Sequence, residues 1–134
     1  MRDIKSFIDF FHNASLKIRG EKAVITRGKD GNLAKLALKR LSLNQLEQLT
    51  LWFLTKKGGL KPTIGAMLSK KVLETLKKDM NRPDFWKEIS RIYDKYFPAS
   101  DLSKELAKKL KPFSYRQIAE IAEETSRIER ATRK

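Results

Sequence analysis

The sequence predicts an all-α fold: a compact bundle of six to seven short helices around a central helix at about residues 42–57. Apolar residues recur along most of the chain at the three- and four-residue spacing of amphipathic helices. The segment from Leu49 to Leu54 is instead apolar on nearly every side, as expected of a helix that other elements surround. The length of 134 residues fits a single domain over residues 1–134.

The first helix is expected over residues 2–13, where apolar side chains form one stripe. The helical pattern then breaks. Apolar residues on either side of Gly20 and Glu21 are compatible with a small two-stranded β-hairpin at residues 16–26. Asp30 is expected to cap a second helix, which begins at residue 31 or 32 and ends at Leu41.

The central helix has clear boundaries in the sequence. Ser42 and Gln45 have the spacing of a capping box, and Leu41 before the cap is placed to contact Leu46. Two glycines at 58 and 59 provide the left-handed residue that closes many helices.

A fourth helix is expected over residues 64–78, with Thr63 as its N-cap. Its apolar ridge leaves four lysines on the opposite arc, interrupted only by Glu74. Like charges this close destabilise a helix slightly unless an anion lies against them.

The second half of the chain predicts three more helices. One begins near Asn81 and carries an aromatic stripe, which we interpret as core rather than as a base-stacking surface. The next is expected over residues 101–110. The last begins at Ser114, which forms a second capping box with Gln117, and ends in a basic tail.

The main indication of function in the sequence is its charge. The chain has a formal net charge of +14, from 30 basic and 16 acidic residues. Residues 1–78 hold 17 of the basic and six of the acidic side chains, so the basic surplus lies mainly in 1–78. Residues 79–134 either pack on the first four helices or form a second, more balanced lobe. A surplus of this size most often indicates a polyanionic partner.

The leading hypothesis is therefore a nucleic-acid-binding protein that contacts phosphates with little sequence reading. The predicted contacts are the basic side chains of the loop before the second helix, of the second to fourth helices and of the loops between them: Arg27, Lys29, Lys35, Lys39, Lys56, Lys57, Lys61, Lys70, Lys71, Lys77 and Lys78. The alternative is an adaptor or assembly subunit that docks on a protein through its basic face or its aromatic helix.

Other functional classes have little support. The chain has no cysteine and one histidine, so the usual nucleophilic and metal-ligating constellations are absent from the sequence. The basic loop around Lys29 lacks the Lys-Ser/Thr pair of a phosphate-binding P-loop. We therefore expect no enzyme, cofactor or metal. No apolar run is long enough for a bilayer and no signal peptide is recognisable, which favours a cytoplasmic protein without membrane contact.

Residues 28–76 resemble a helical module of phage and mobile-element replication-type proteins. The resemblance rests on Lys29-Asp30-Gly31, on Ser42-Leu43 with Leu46, and on Thr63-Ile64-Gly65. It implies an accessory role in replication or recombination and favours DNA over RNA. Separately, residues 113–121 resemble both the first helix of a helix-turn-helix and a capped helix of an AAA-type ATPase lid. We interpret them as an ordinary terminal helix, because no turn and no Walker motif accompany them.

Overall fold

A computed structural model describes residues 2–57, 59–96 and 113–132, without the side chains of Arg2, Arg27 and residues 129–132. These residues form seven α-helices and no strand: α1 (Arg2–Arg19), α2 (Arg27–Leu38), α3 (Leu43–Lys56), α4 (Ile64–Met67), α5 (Lys70–Asp79), α6 (Phe85–Tyr96) and α7 (Tyr115–Thr132). The all-α prediction is confirmed. The predicted helix at 101–110 lies outside the described residues.

The central position of α3 is confirmed. Ten consecutive residues, from Gln45 to Leu54, are buried, since α1 packs against α3 on one side and α6 on another. The capping box is also present: the backbone N–H of Gln45 donates to Ser42 Oγ at 3.2 Å, and that of Ser42 donates to Gln45 Oε1 at 2.9 Å.

The predicted hairpin at residues 16–26 is wrong for the described structure. The buried stripe of Phe7 and Phe11 continues through Ala14, so α1 extends to Arg19 before Gly20 ends it with a φ of +69°. Val24, expected to face a partner strand, is 53% exposed, and its N–H donates to the Pro62 carbonyl at 3.1 Å.

The second helix begins earlier than predicted, at Arg27, with Thr26 as its N-cap. Asp30 is therefore not the cap residue. It lies inside the first turn, where its carboxylate accepts the Thr26 backbone N–H at 2.5 Å. Asp30 still stabilises the helix start, because it satisfies a donor that has no partner within the helix.

The predicted fourth helix is divided into α4 and α5 by a break at Leu68 and Ser69. Thr63 caps α4 as predicted, and its side chain accepts from the Ala66 N–H at 3.0 Å. Ser69 starts a new helix by accepting from the Val72 N–H at 3.4 Å. The periodicity of the apolar ridge continues through the break, which is why the sequence predicted one helix.

The aromatic stripe of α6 belongs to the core, as predicted. Phe85, Ile89 and Tyr93 are buried in one cluster together with residues from the other helices. Phe113, just before α7, contacts both Phe85 and Trp86 edge to face.

The predicted start of α7 is also confirmed, but Ile128, which the helical spacing places on its buried face, is 42% exposed. The Gln117 N–H donates to Ser114 Oγ at 3.2 Å, while the Ser114 N–H donates to Gln117 Oε1 at 2.8 Å. Ile118, Ile121 and Thr125 face inward.

Candidate nucleic-acid interface

The most concentrated group of predicted contacts lies on α5. Val72, Leu73 and Leu76 are buried on the inner side of this helix. At 3.6 residues per turn the outward arc then carries four lysines, which we call the lysine face: Lys70, Lys71, Lys77 and Lys78. Lys70, Lys71 and Lys78 are exposed and Lys77 is half-buried. The amphipathic pattern of α5 thus places all four ammonium groups on its outer side.

A groove runs between α5 and α7, and we call it the α5–α7 groove. The two helices are antiparallel: Thr125 reaches back to Leu68 just before α5, while Tyr115 bonds to Asn81 just after α5. Two adjoining hollows, of about 180 and 500 Å³, form the groove. Lys77 lines both hollows, so the lysine face forms one wall along most of the groove.

The other wall of the groove is formed by α7, and most of the side chains on it are small. The α7 side chains that line the 180 Å³ hollow opposite Lys70 are Ala119, Ala122, Glu123 and Ser126, and all but Glu123 are small. Side chains of this size let a ligand backbone approach the helix closely. The groove is therefore shaped for an extended chain rather than for a deeply enclosed molecule.

The four lysines of the lysine face form no ion pairs within the described part of the chain, since none of their ammonium groups lies within 4.0 Å of a carboxylate there. Glu74 lies among them, and Glu123 lines the groove but pairs with Arg127 at 2.8 Å. Exposed lysines without acidic partners keep their charge available to an anion from solution.

Lys56 behaves differently. Its ammonium group forms an ion pair with Glu88 of α6, which also accepts from Arg82 at 2.9 Å. These two cations lower the pKa of the Glu88 carboxyl, with the hydrogen bond from Lys56 as the largest cause. Lys56 therefore joins α3 to α6, and its charge is already compensated.

The other predicted contacts lie apart from the α5–α7 groove. Lys35 and Lys39 line a hollow beside Asp3 of α1. Lys29 lies at a separate cavity of about 550 Å³ between α2, α4 and α7. Lys57 follows the end of α3, and Lys61 is exposed in the next loop. Arg27 begins α2, and its side chain is not described. The structure thus gathers the four lysines of α5 and distributes the remaining positions elsewhere.

Two residues for which the sequence predicted no role make well-defined contacts in the structure. Arg19, placed in the predicted hairpin, clamps the C-terminal end of α3. Tyr115 lies at one end of the α5–α7 groove beside Lys77 and Lys78, with 46% of its surface exposed. Its signal in the sequence is weak, because it stands between a capping serine and the buried stripe of α7.

One buried acid does not line this groove. Glu47 of α3 is 8% exposed, and burial raises the pKa of its carboxyl to about 7. Burial and the nearby Glu47 charge also raise the pKa of the Tyr93 hydroxyl. Among the described residues, no group of three or more potential metal ligands comes together.

Comparisons of the chain with protein-family models, curated proteins and solved structures gave no match. None of the helices in the described ranges is both long and apolar enough to cross a membrane. The charge, shape and contacts of the α5–α7 groove are therefore the main indications of function.

Proposed function

We propose that this protein binds nucleic acid through the lysine face of α5, contacting the phosphate backbone with little sequence selectivity. The observation that carries the proposal is the absence of acidic partners for these four lysines in the described structure. Phosphate contacts supply affinity and register, while base edges supply sequence selectivity. The proposed contacts are ammonium groups, which bind phosphates, so we expect little sequence selectivity.

DNA is the proposed ligand in preference to RNA, with an accessory role in replication or recombination. This choice is supported by the resemblance of residues 28–76 to a replication-type helical module. The lysine face itself has no preference between the two polymers, because both present the same phosphates. The net charge of +14 adds a long-range attraction to either.

The competing proposal is an adaptor that docks on an acidic protein. Docking through the aromatic helix has less support, because Phe85 and Tyr93 of α6 are buried in the protein's own core. Docking on an acidic protein through the basic surface would use the same lysine face. The two proposals differ in what they require of defined oligonucleotides, because only the nucleic-acid proposal demands measurable, salt-dependent binding to them.

The test is a fluorescence-anisotropy titration with labelled duplex DNA, single-stranded DNA and RNA over a series of salt concentrations. We expect binding that weakens steeply with salt. Replacing all four lysines of the lysine face by glutamine should reduce the slope of log K against log salt by about 3, from about 0.7 to 0.9 per phosphate contact.

The matched control removes four charges elsewhere. Lys22, Lys87, Arg91 and Lys95 are exposed, and the last three lie on α6 rather than α5. Their glutamine variant has the same net charge as the lysine-face variant but should keep nearly the whole salt slope. Equal losses in both variants would show that only net charge matters. No measurable binding to any of the three polymers at low salt would overturn the proposed function.

A further inference from the structure

We propose that the α5–α7 groove selects single-stranded nucleic acid, with Tyr115 as a stacking platform for one unpaired base. The inference rests on the proposed function, since the lysine face has to hold the phosphates. It goes further by naming the class of nucleic acid and a contact that the charge pattern does not reveal.

The first observation is the location of Tyr115. Its side chain shares the 500 Å³ hollow with Glu74, Lys77, Lys78 and Asn81. Most large aromatic side chains in the described part of the chain are buried, including Trp52, Phe53 and Phe85, whereas Tyr115 is 46% exposed. An aromatic ring beside unpaired cations is the combination that proteins use to hold unpaired bases and their backbone together.

The second observation is the state of the Tyr115 hydroxyl. It donates a hydrogen bond to Asn81 Oδ1, across the end of the α5–α7 groove. This bond links the start of α7 to the end of α5 and fixes the direction of the side chain. Because the hydroxyl is already engaged, the ring is the part of Tyr115 that remains for a ligand.

The third observation is the continuation of the groove beyond the ring. From Tyr115 to Ser126 the α7 wall extends about 16 Å, at 1.5 Å per residue. Along this distance Lys77, Glu74 and Lys70 follow one another on the opposite wall. A strand whose base rests on Tyr115 could thus continue past both ammonium groups.

These features distinguish single strands from duplexes. In a duplex each base is stacked between its neighbours, so its face is not available to a protein ring without unstacking. An unpaired strand offers base faces at no such cost, and stacking on an aromatic side chain depends little on the identity of the base. Tyr115 is therefore expected to increase affinity for single strands alone.

The experiment compares Tyr115→Leu and Tyr115→Phe with the unaltered protein. Leucine keeps an apolar side chain without the aromatic ring, while phenylalanine keeps the ring without the bond to Asn81. Three fluorescently labelled ligands are titrated: a single-stranded oligonucleotide, the duplex of the same sequence, and a single strand of equal length composed of abasic nucleotides.

We expect Tyr115→Leu to weaken binding of the single strand by roughly 5- to 150-fold, which is the loss that corresponds to one stacked base. The duplex and the abasic strand should be bound equally well by this variant and by the unaltered protein. Tyr115→Phe should bind all three ligands within about twofold of the unaltered protein, since a lost neutral contact at an exposed site has a small effect.

Two results would overturn the inference. One is an unchanged affinity of Tyr115→Leu for the single strand. The other is an equal loss in both variants, which would assign the effect to the Asn81 bond rather than to the ring. In either case, duplex and abasic-strand binding that still depends on the lysine face leaves the proposed function in place. Loss of that dependence would remove the proposed function itself.

Discussion

The Thr125 hydroxyl on α7 donates a hydrogen bond to the backbone carbonyl of Leu68, 57 positions earlier in the chain, at 2.9 Å. Both residues are buried. The bond falls at the break between α4 and α5, where the Leu68 carbonyl no longer belongs to a regular helix. The last helix thus supplies a partner for a buried acceptor at the point where the lysine face begins.

Replacing Thr125 by valine should lower the free energy of unfolding by about 1 to 3 kcal/mol, because a buried carbonyl loses a hydrogen-bond donor. Urea unfolding followed by tryptophan fluorescence measures this change. Thr125→Ser keeps the hydroxyl and should recover most of the loss. The control is Thr75→Val, which removes a hydroxyl at an exposed contact to Lys71 and should change stability by less than about 0.5 kcal/mol.

Arg19 should be one of the most sensitive positions in the chain. Its guanidinium donates to the carbonyls of Phe53, Leu54, Lys57 and Leu60, at 3.3, 3.0, 2.8 and 2.5 Å. A lysine has no planar fork and cannot reproduce this set. We expect Arg19→Lys to lower stability by about 1 to 3 kcal/mol in the same unfolding measurement.

The control for this substitution is Arg91→Lys on the exposed side of α6, which should have almost no effect. If Arg19→Lys also leaves the free energy of unfolding unchanged, the contacts of Arg19 at the end of α3 contribute nothing to stability.

Glu47 should make stability depend on pH. Its carboxyl has a pKa of about 7 when folded, raised by burial from an ordinary value of 4.5. Between these values the folded chain binds more protons than the unfolded chain, so the free energy of unfolding falls as the pH rises. Glu47→Gln, which is neutral at every pH, should raise stability by up to about 3 kcal/mol at about pH 8, from about 1.4 kcal/mol per pKa unit.

At about pH 4 the same variant should differ little from the unaltered protein, since Glu47 is then protonated in both states. Unfolding titrations at the two pH values measure the difference. Glu74→Gln is the matched control, because Glu74 is exposed. A stabilisation that is equal at both pH values would show that Glu47 is not the titrating group.

Two glycines should respond in opposite ways to alanine. Gly20 ends α1 with a φ of +69°, a conformation that costs other residues about 1 to 2 kcal/mol. Gly20→Ala should therefore destabilise the protein by about that amount. Gly31 lies inside α2 with a negative φ, and a Cβ there would meet no atom within 4 Å. Gly31→Ala should stabilise by about 0.5 to 1 kcal/mol.

Thermal unfolding of the two variants at matched concentration tests this pair. Destabilisation by both substitutions would mean that a side chain on Gly31 disturbs α2 in a way the backbone geometry does not indicate.

The parts of the fold that depend on neighbours in sequence were predictable. The capping boxes at Ser42 and Ser114 and the buried run of α3 need only short patterns. The break at Leu68 was not predictable, because its hydrogen-bond partner is Thr125 on the last helix. The hairpin was a wrong prediction because Ala14, a small residue, continued the stripe of α1 without an obvious hydrophobic signal.

The candidate interface was likewise predictable from the sequence only in part. A 3.6-residue repeat was enough to place the four lysines on one side of α5. It could not show that Lys56 pairs with Glu88, since these residues come from different helices. Nor could it place Tyr115 beside Lys78, because that proximity requires α7 to lie antiparallel to α5.

The break between α4 and α5 has a consequence for the unliganded protein. Because a new helix starts at Lys70, the first two residues of α5 are cations at the positive end of its dipole, where negative charge is preferred. The first turn of α5 is therefore electrostatically frustrated in the absence of a bound anion. An anion bound at this turn would relieve the repulsion and so stabilise α5.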